Sequence, residues 1–324
     1  MLNQVAQPSQ RFFVWRSLDQ PALADRALQR EVIPSPIPLV HGPVPSCSTS
    51  SQVRIRQRLR HRMTRPQSAR PESPVERFFL PQPLQLATVE QAAVELDGSE
   101  AHHLLHVLRA KVGDRVGLFN GQGDEAIAEL VNHRKRSAEL QILDRWTTPA
   151  ETDELILATA LPKGDRARWL VEKATELGAT RIIPLRTARS VVEPGEGKMD
   201  KLAQAAIAAC KQCGRSRLPR LDPLTTLSDV FREFSAALPS RILLLADPRA
   251  ERNVRQLFES FGDGLQSTIA LIGPEGGFTV DEHSAAIAAG ATPVRLGSHI
   301  LRIETAALAI SAAWEFRSST KQPA

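Results

Sequence analysis

Between residues 77 and 144 the apolar positions come in short runs broken by turn dipeptides. RFFL (77–80), RVGLFNG (115–121), EAIAELV (125–131) and AELQILD (138–144) are separated by signals such as GD and NGQGD. This texture predicts short strands joined by tight turns. Between the first two runs, SEAHHLLHVLRAKVGD (99–114) carries helical spacing, with Ser99 positioned to cap it. Strands gathered around one helix predict a small β-barrel, assigned to residues 76–147.

Beyond residue 152 the pattern changes to strands alternating with helices. ELILATA (154–160) reads as a buried strand, and DRARWLVEKATELG (165–178) as a helix. Ala167, Leu170, Val171, Ala174 and Leu177 share one face of that helix, and Gly178 stops it. RIIPL (181–185), RILLLAD (241–247), STIALIG (267–273) and TPVRLG (292–297) are further strands, and KMDKLAQAAIAACKQC (198–213) is a further helix. Alternation of this kind predicts a mostly parallel sheet covered on both faces, an α/β domain assigned to residues 152–318.

Residues 1–75 follow neither pattern. PSPIPLVHGPVPSCSTSS and RIRQRLRHRMTRP are rich in Pro, Ser and Arg, a composition that does not bury enough apolar area to fold alone. A disordered arm is the preferred expectation. An organelle transit peptide, or sequence upstream of the true start (Met63 lies within it), are the alternatives. The arm also carries the charge imbalance. It holds 11 arginines, no lysine and 4 acidic residues, whereas the remainder has 30 basic and 32 acidic residues. The overall net charge of +5 is therefore a property of the arm, and nucleic-acid binding by the folded part needs local basic patches. No apolar stretch approaches the ~18 residues of a membrane span. Three cysteines (Cys47, Cys210, Cys213) make no disulfide framework, which points to a reducing, cytoplasmic setting, with organelle targeting by the arm left open.

Chemistry concentrates in LIGPEGGFTVDE (271–282). Thr279 and Glu282 have capping-box spacing, so GPEGGF lies between the C-terminal end of a strand and the start of a helix. Ligands of open α/β sheets bind at that edge, and glycines allow the backbone close to them; a plain tight turn is the other reading. A P-loop would close on Gly-Lys-Ser/Thr, but Phe278 and Thr279 follow the glycines here. A dinucleotide fold wants GxGxxG in its first βα turn; this loop is late, and Glu275 would repel a pyrophosphate. A second irregular element, LGSHILRIETAALA (296–309), ends another strand on the same edge. Arg302 within it is either a salt-bridge partner of Glu304 or another neighbour, or a cation brought beside the glycine loop.

GPEGGF followed by LGSHILRIETA resembles the two signature loops of the SPOUT methyltransferases, and specifically of the RsmE type, which methylates a uridine of small-subunit ribosomal RNA at N3. HHLLHVLRAKVGD resembles that family's N-terminal domain motif, and LPKGDRARWLVEKATELGATRIIPL its first strand–helix–strand. Ser190–Val191–Val192 and Gln212–Cys213–Gly214–Arg215 resemble the elements that follow. The ordered match runs from about Glu76 to Phe316 and leaves residues 1–75 unmatched.

The resemblance implies a trefoil-knotted α/β methyltransferase domain preceded by a PUA-like RNA-binding β-barrel, acting as a homodimer on 16S ribosomal RNA or the small subunit. It implies S-adenosyl-L-methionine as cofactor. Gly273, Glu275, Gly276 and Gly277 would line one side of its site, and Leu296, Gly297, Ile300, Leu301 and Arg302 the other. Uridine N3 must lose a proton before it attacks, which calls for a base or for a cation that stabilises the uridinate. Arg302 is the candidate cation, and Glu304 is placed to orient it or to take the proton. Lys163 and Arg166 suit RNA phosphates at the same sheet edge, with Arg215 and Arg217 extending the patch. His102, His103, Arg109 and Lys111 form a second basic cluster, in the barrel. Each of these charges is otherwise a solvated surface residue. His102 and His106, at i and i+4, have no third ligand, and Cys210/Cys213 is a lone CxxC, so no metal is expected. The competing functional class is a non-catalytic RNA-binding or ribosome-assembly protein on the same fold.

Overall fold

The computed structural model describes residues 75–84, 93–234 and 240–317. The expectations for residues 1–74 lie outside the described residues. The first sheet has five strands: β1 (Arg77–Phe79), β2 (Ala93–Leu96), β3 (Arg115–Phe119), β4 (Asp124–His133) and β5 (Ala138–Thr147), in the order β1-β3-β4-β5-β2. All of its pairs are antiparallel except β1 with β3, and register shifts after Ile127 and Leu130 mark irregularities in the β4–β5 pair. Phe78, Leu96, Leu104, Leu118, Leu130 and Leu140 fill its core.

The helix expected over 99–114 is shorter than its spacing implied. α1 spans Gly98–His102, with Asp97 rather than Ser99 at the N-cap, and the chain then widens into a π-helical turn over His103–Val107. Arg109 adopts φ 56°, in the left-handed region that ends a helix. The end of the wider turn points away from the core, with Val107 59% and Leu108 43% exposed.

The second sheet is entirely parallel. Its strands are β6 (Glu154–Thr159), β7 (Arg181–Arg186), β8 (Arg220–Leu221), β9 (Thr225–Thr226), β10 (Arg241–Ala246), β11 (Ser267–Ile272) and β12 (Thr292–Val294). The order is β12-β10-β11-β6-β7-β8, with β9 also on β7. Alternate residues of each strand face opposite layers. Leu155, Leu157, Leu244 and Ile272 pack under α2 (Arg166–Glu176), α3 (Glu196–Cys213), α5 (Val254–Phe261) and α7 (Ile303–Glu315). Ile156, Ile183, Leu243 and Ile269 pack under α4 (Leu227–Phe234) and α6 (Val280–Ala288). Burying a side chain of this kind stabilises the fold by about 1.5–3 kcal/mol, so the near-continuous apolar strands reflect a sheet covered on both faces.

The two parts meet along a built junction. Lys211 donates to Glu100 at 2.9 Å, Arg77 donates to the Cys210 carbonyl at 3.1 Å, and Arg217 donates to the Thr148 carbonyl at 2.8 Å. The β3–β4 turn bonds through backbone alone, Gly123 N to Ser216 O and Leu218 N to Gly121 O. Cys210, buried beside this junction, has its thiol pushed up to about 12 by desolvation, whereas Cys213 is exposed. A thiol-alkylating reagent is therefore expected to modify Cys213 in the native protein and Cys210 only after unfolding, read by peptide mass mapping. Rapid native labelling of Cys210 would contradict that burial.

Candidate active site

Three neighbouring strands, β10, β11 and β12, end at one edge of the parallel sheet, and the segments that follow them enclose a cavity of about 370 Å³. β11 is buried along its whole length, so its C-terminal end is fixed by packing from both layers. The chain then turns sharply. Gly277 takes φ 68° and donates to Pro274 O at 2.8 Å, and a Cβ on Gly273 would sit 3.1 Å from the Phe278 ring. Thr279 caps α6 through the expected capping box: Thr279 Oγ1 accepts from Glu282 N, and the Glu282 carboxylate accepts from Thr279 N. The glycines serve a real steric need here, because the loop folds back on itself over Gly273.

Gly273, Glu275, Gly276, Gly277, Leu296, Gly297, Ile300 and Leu301 all line the cavity. Arg302 stands just outside the lining as the N-cap residue of α7, with its side chain exposed. No described residue pairs with its guanidinium, so the salt bridge with Glu304 is absent. Glu304 is turned inward instead, with its side chain 8% exposed. Its Oε1 accepts from Arg166 at 3.4 Å, and its Oε2 is buried without a partner. Arg166 also lies 3.7 Å from Glu275 Oε1, so one guanidinium spans the glycine loop and the first turn of α7.

Several residues of the wall were not anticipated. Asp247 and Arg249 follow β10, and His283 reaches across from α6 to bond Asp247 at 3.0 Å. Burial alone would raise the Asp247 carboxyl, but hydrogen bonds from the Arg249 amide and guanidinium and from His283 hold it below the usual carboxylate range. The signal was present: ADPRA (246–250) closes its strand just as GPEGG does, at the same edge. Arg189, from the turn after β7, completes the wall and donates to Gly276 O at 2.6 Å.

The basic residues fall into separate settings. Lys163 is exposed in the segment after β6, at the cavity's edge of the sheet. The guanidinium of Arg215 is committed elsewhere: it donates to the Thr175 and Ala179 carbonyls at 2.8 and 2.9 Å and pairs with Glu151. His102, Arg109 and Lys111 are exposed, and the half-buried His103 packs against Phe78; the two histidines belong to the helical element of the first sheet, and Arg109 and Lys111 to the segment that follows it. The His102 and His106 rings lie 5.0 Å apart, tilted at 48° to each other.

Known proteins share the domains that carry this arrangement. Residues 149–315 match the RNA methyltransferase domain family, and residues 96–143 match the RNA methyltransferase PUA domain. The chain belongs to this RNA methyltransferase family. Its methyltransferase domain carries the cavity, and its PUA domain coincides with most of the five-stranded sheet. Among relatives, ribosomal RNA small subunit methyltransferase E of Synechocystis is 34% identical over 223 residues, covering 67% of this chain and 70% of that protein. The Bacillus subtilis protein of the same name is 29% identical over 246 residues, covering 72% and 93%. Among solved structures, ribosomal RNA small subunit methyltransferase E from Neisseria gonorrhoeae, bound to S-adenosyl methionine, superposes with a TM-score of 0.64 at 30% identity, covering 74% of this chain and 97% of that one.

Proposed function

We propose that this chain methylates N3 of a uridine in 16S ribosomal RNA, using S-adenosyl-L-methionine. The observation that carries the reading is the cavity itself, built from the glycine loop after β11 and the 296–301 loop after β12, on either side of β10. Its chemistry fits the cofactor. Ile272, Val294, Leu296, Leu301 and Ala306 offer apolar walls for an adenine, and exposed backbone at the glycines offers hydrogen bonds. Glu275 and Asp247 supply negative charge compatible with a sulfonium. The cofactor contributes an already activated methyl group, so positioning supplies much of the acceleration.

The chain's own residues then have to prepare the acceptor. Arg302, exposed and without an ion pair among the described residues at the start of α7, is placed to stabilise the uridinate formed when N3 loses its proton. Glu304 bonds Arg166 rather than Arg302, which favours a positioning role: the Arg166 bridge ties α7 to Glu275 of the glycine loop. Lys163, exposed just after β6, is the candidate phosphate contact at this edge. His102, His103, Arg109 and Lys111, on the PUA side, form a second RNA contact, with residues 76–147 as the RNA-binding unit and 152–318 as the catalytic one. A trefoil knot is part of the reading, and the return of the chain from edge strand β12 to pack α7 on β6 and β11 is compatible with one. So are a homodimer and a cytoplasmic location; no helix of the described residues is long and apolar enough to cross a membrane.

Two measurements test the proposal. Calorimetric titration of the full chain with S-adenosyl-L-methionine is expected to give saturable binding. Mass spectrometry of 16S ribosomal RNA from cells lacking the gene is expected to show one uridine without its N3 methyl group, restored by the gene. Identical ribosomal RNA in both strains would instead favour a non-catalytic RNA-binding protein.

A further inference from the structure

We propose that Arg189 is a positioning residue that clamps the glycine loop in its cofactor-accepting shape, an inference that rests on reading the cavity as the S-adenosyl-L-methionine site. Three observations converge on it. Arg189 Nη1 donates to Gly276 O at 2.6 Å, the shortest tie among the described residues between the loop and the rest of the wall. The arginine's stem lies along the bare Cα of Gly276: a Cβ there would stand 3.2 Å from Arg189 Cδ. The neighbouring residue makes a second tie, since Ala188 N donates to Glu282 Oε1 at 2.7 Å, and Glu282 is the capping-box residue of α6.

Both ties leave one small turn, and that turn is itself braced. Thr187 N donates to Ser190 Oγ at 3.0 Å, and Ser190 Oγ donates back to Leu185 O at 3.3 Å. Leu185 and Thr187 are buried at the end of β7. The turn is thus a firm post, fixed to the sheet, from which one charged hydrogen bond and one backbone hydrogen bond reach the loop and the helix start behind it. A loop of GPEGG composition has high backbone freedom, and fixing it before ligand arrives lowers the entropy lost on binding. Arg189 also lines the cavity, so a direct contact with the cofactor's carboxylate is the rival explanation for any effect of removing it.

The test compares the wild-type full chain with Arg189→Ala and Arg189→Lys. Arg189→Ala is expected to weaken S-adenosyl-L-methionine binding about tenfold by calorimetry, the scale of one charge-assisted hydrogen bond. KM for the cofactor should rise by the same factor, with kcat held within about threefold. Arg189→Lys, which still donates to Gly276 O, should recover most of the loss. Amide exchange at Gly276–Phe278 in the cofactor-free protein should quicken in Arg189→Ala. 5′-Methylthioadenosine, which keeps the adenosine but lacks the amino-acid end, should lose affinity by a similar factor. Unchanged cofactor affinity in Arg189→Ala would overturn the proposal, as would unchanged amide exchange or a loss confined to S-adenosyl-L-methionine. A wild-type protein that does not bind the cofactor at all would instead remove the reading of the cavity.

Discussion

Replacing Arg302 with alanine is expected to lower methylation about 10²–10³-fold, the cost of deleting one preorganised electrostatic donor, while cofactor affinity stays within about threefold. The first part follows from where the charge sits. Arg302 ends the second loop, caps α7 with extended backbone (φ −69°, ψ 160°), and projects an exposed side chain beside the cavity. The acid two residues on is not its partner, because Arg166 holds it. A cation with no counter-ion among the described residues is available to an anion that forms on the substrate, and the uridinate is such an anion. The second part follows because Arg302 is absent from the cavity lining, so most cofactor contacts survive its truncation. Arg302→Lys should recover only part of the rate, since an ammonium lacks the planar fork of a guanidinium. Single-turnover methylation of small-subunit RNA at saturating cofactor measures the effect. A rate within twofold of wild type would remove Arg302 from the chemistry.

What the sequence made legible here is local. The capping box at Thr279 and Glu282, the alternation of strands and helices, and the strand-end loops all depend on neighbours within a few residues. What it hid is the long-range choice of partners. Arg166 read as a phosphate contact because of its charge and its place after a strand. Its carboxylate Glu304 comes from 138 residues away, and no local pattern announces that meeting. Arg215 was hidden for a related reason: the carbonyls it caps belong to the end of α2 and the turn after it, and α2 packs against α3 far along the chain. The strand order itself, with β11 inserted between β10 and β6, also lies beyond periodicity. α1 shows a different limit. Its apolar spacing is helical, yet a widened turn and the left-handed Arg109 end it early, features set by tertiary packing rather than propensity.

Gly123→Ala is expected to destabilise the protein by about 3–5 kcal/mol, combining left-handed backbone strain with overpacking. NGQGD reads as an ordinary hairpin turn, but in the fold it is the socket of the junction. Gly123 takes φ 103°, and a Cβ there would lie 2.4 Å from Arg217 Nη2 and 2.7 Å from the Thr148 carbonyl. The arginine end is flexible and can swing out, at the loss of its 2.8 Å hydrogen bond to that same carbonyl. The carbonyl is backbone, and Thr148 N in turn donates to Gly123 O at 2.8 Å, so the clash cannot be relieved without shifting the link between the two sheets. Gly113 provides the control. It also has positive φ, 98°, but nothing lies within 4 Å of its added Cβ, so Gly113→Ala should show only the backbone share, about 1–2 kcal/mol. Urea denaturation of both variants separates the two contributions, and equal losses would mean that the junction gives way without cost. The functional consequence follows from the same contacts. Because Gly121, Gly123 and Arg217 fix the PUA side against the methyltransferase domain, the junction sets the spacing between the His102–Lys111 cluster and the cavity edge. Gly123→Ala should therefore weaken binding of structured ribosomal RNA more than binding of the cofactor, because the lining of the proposed cofactor cavity lies on one side of the junction alone.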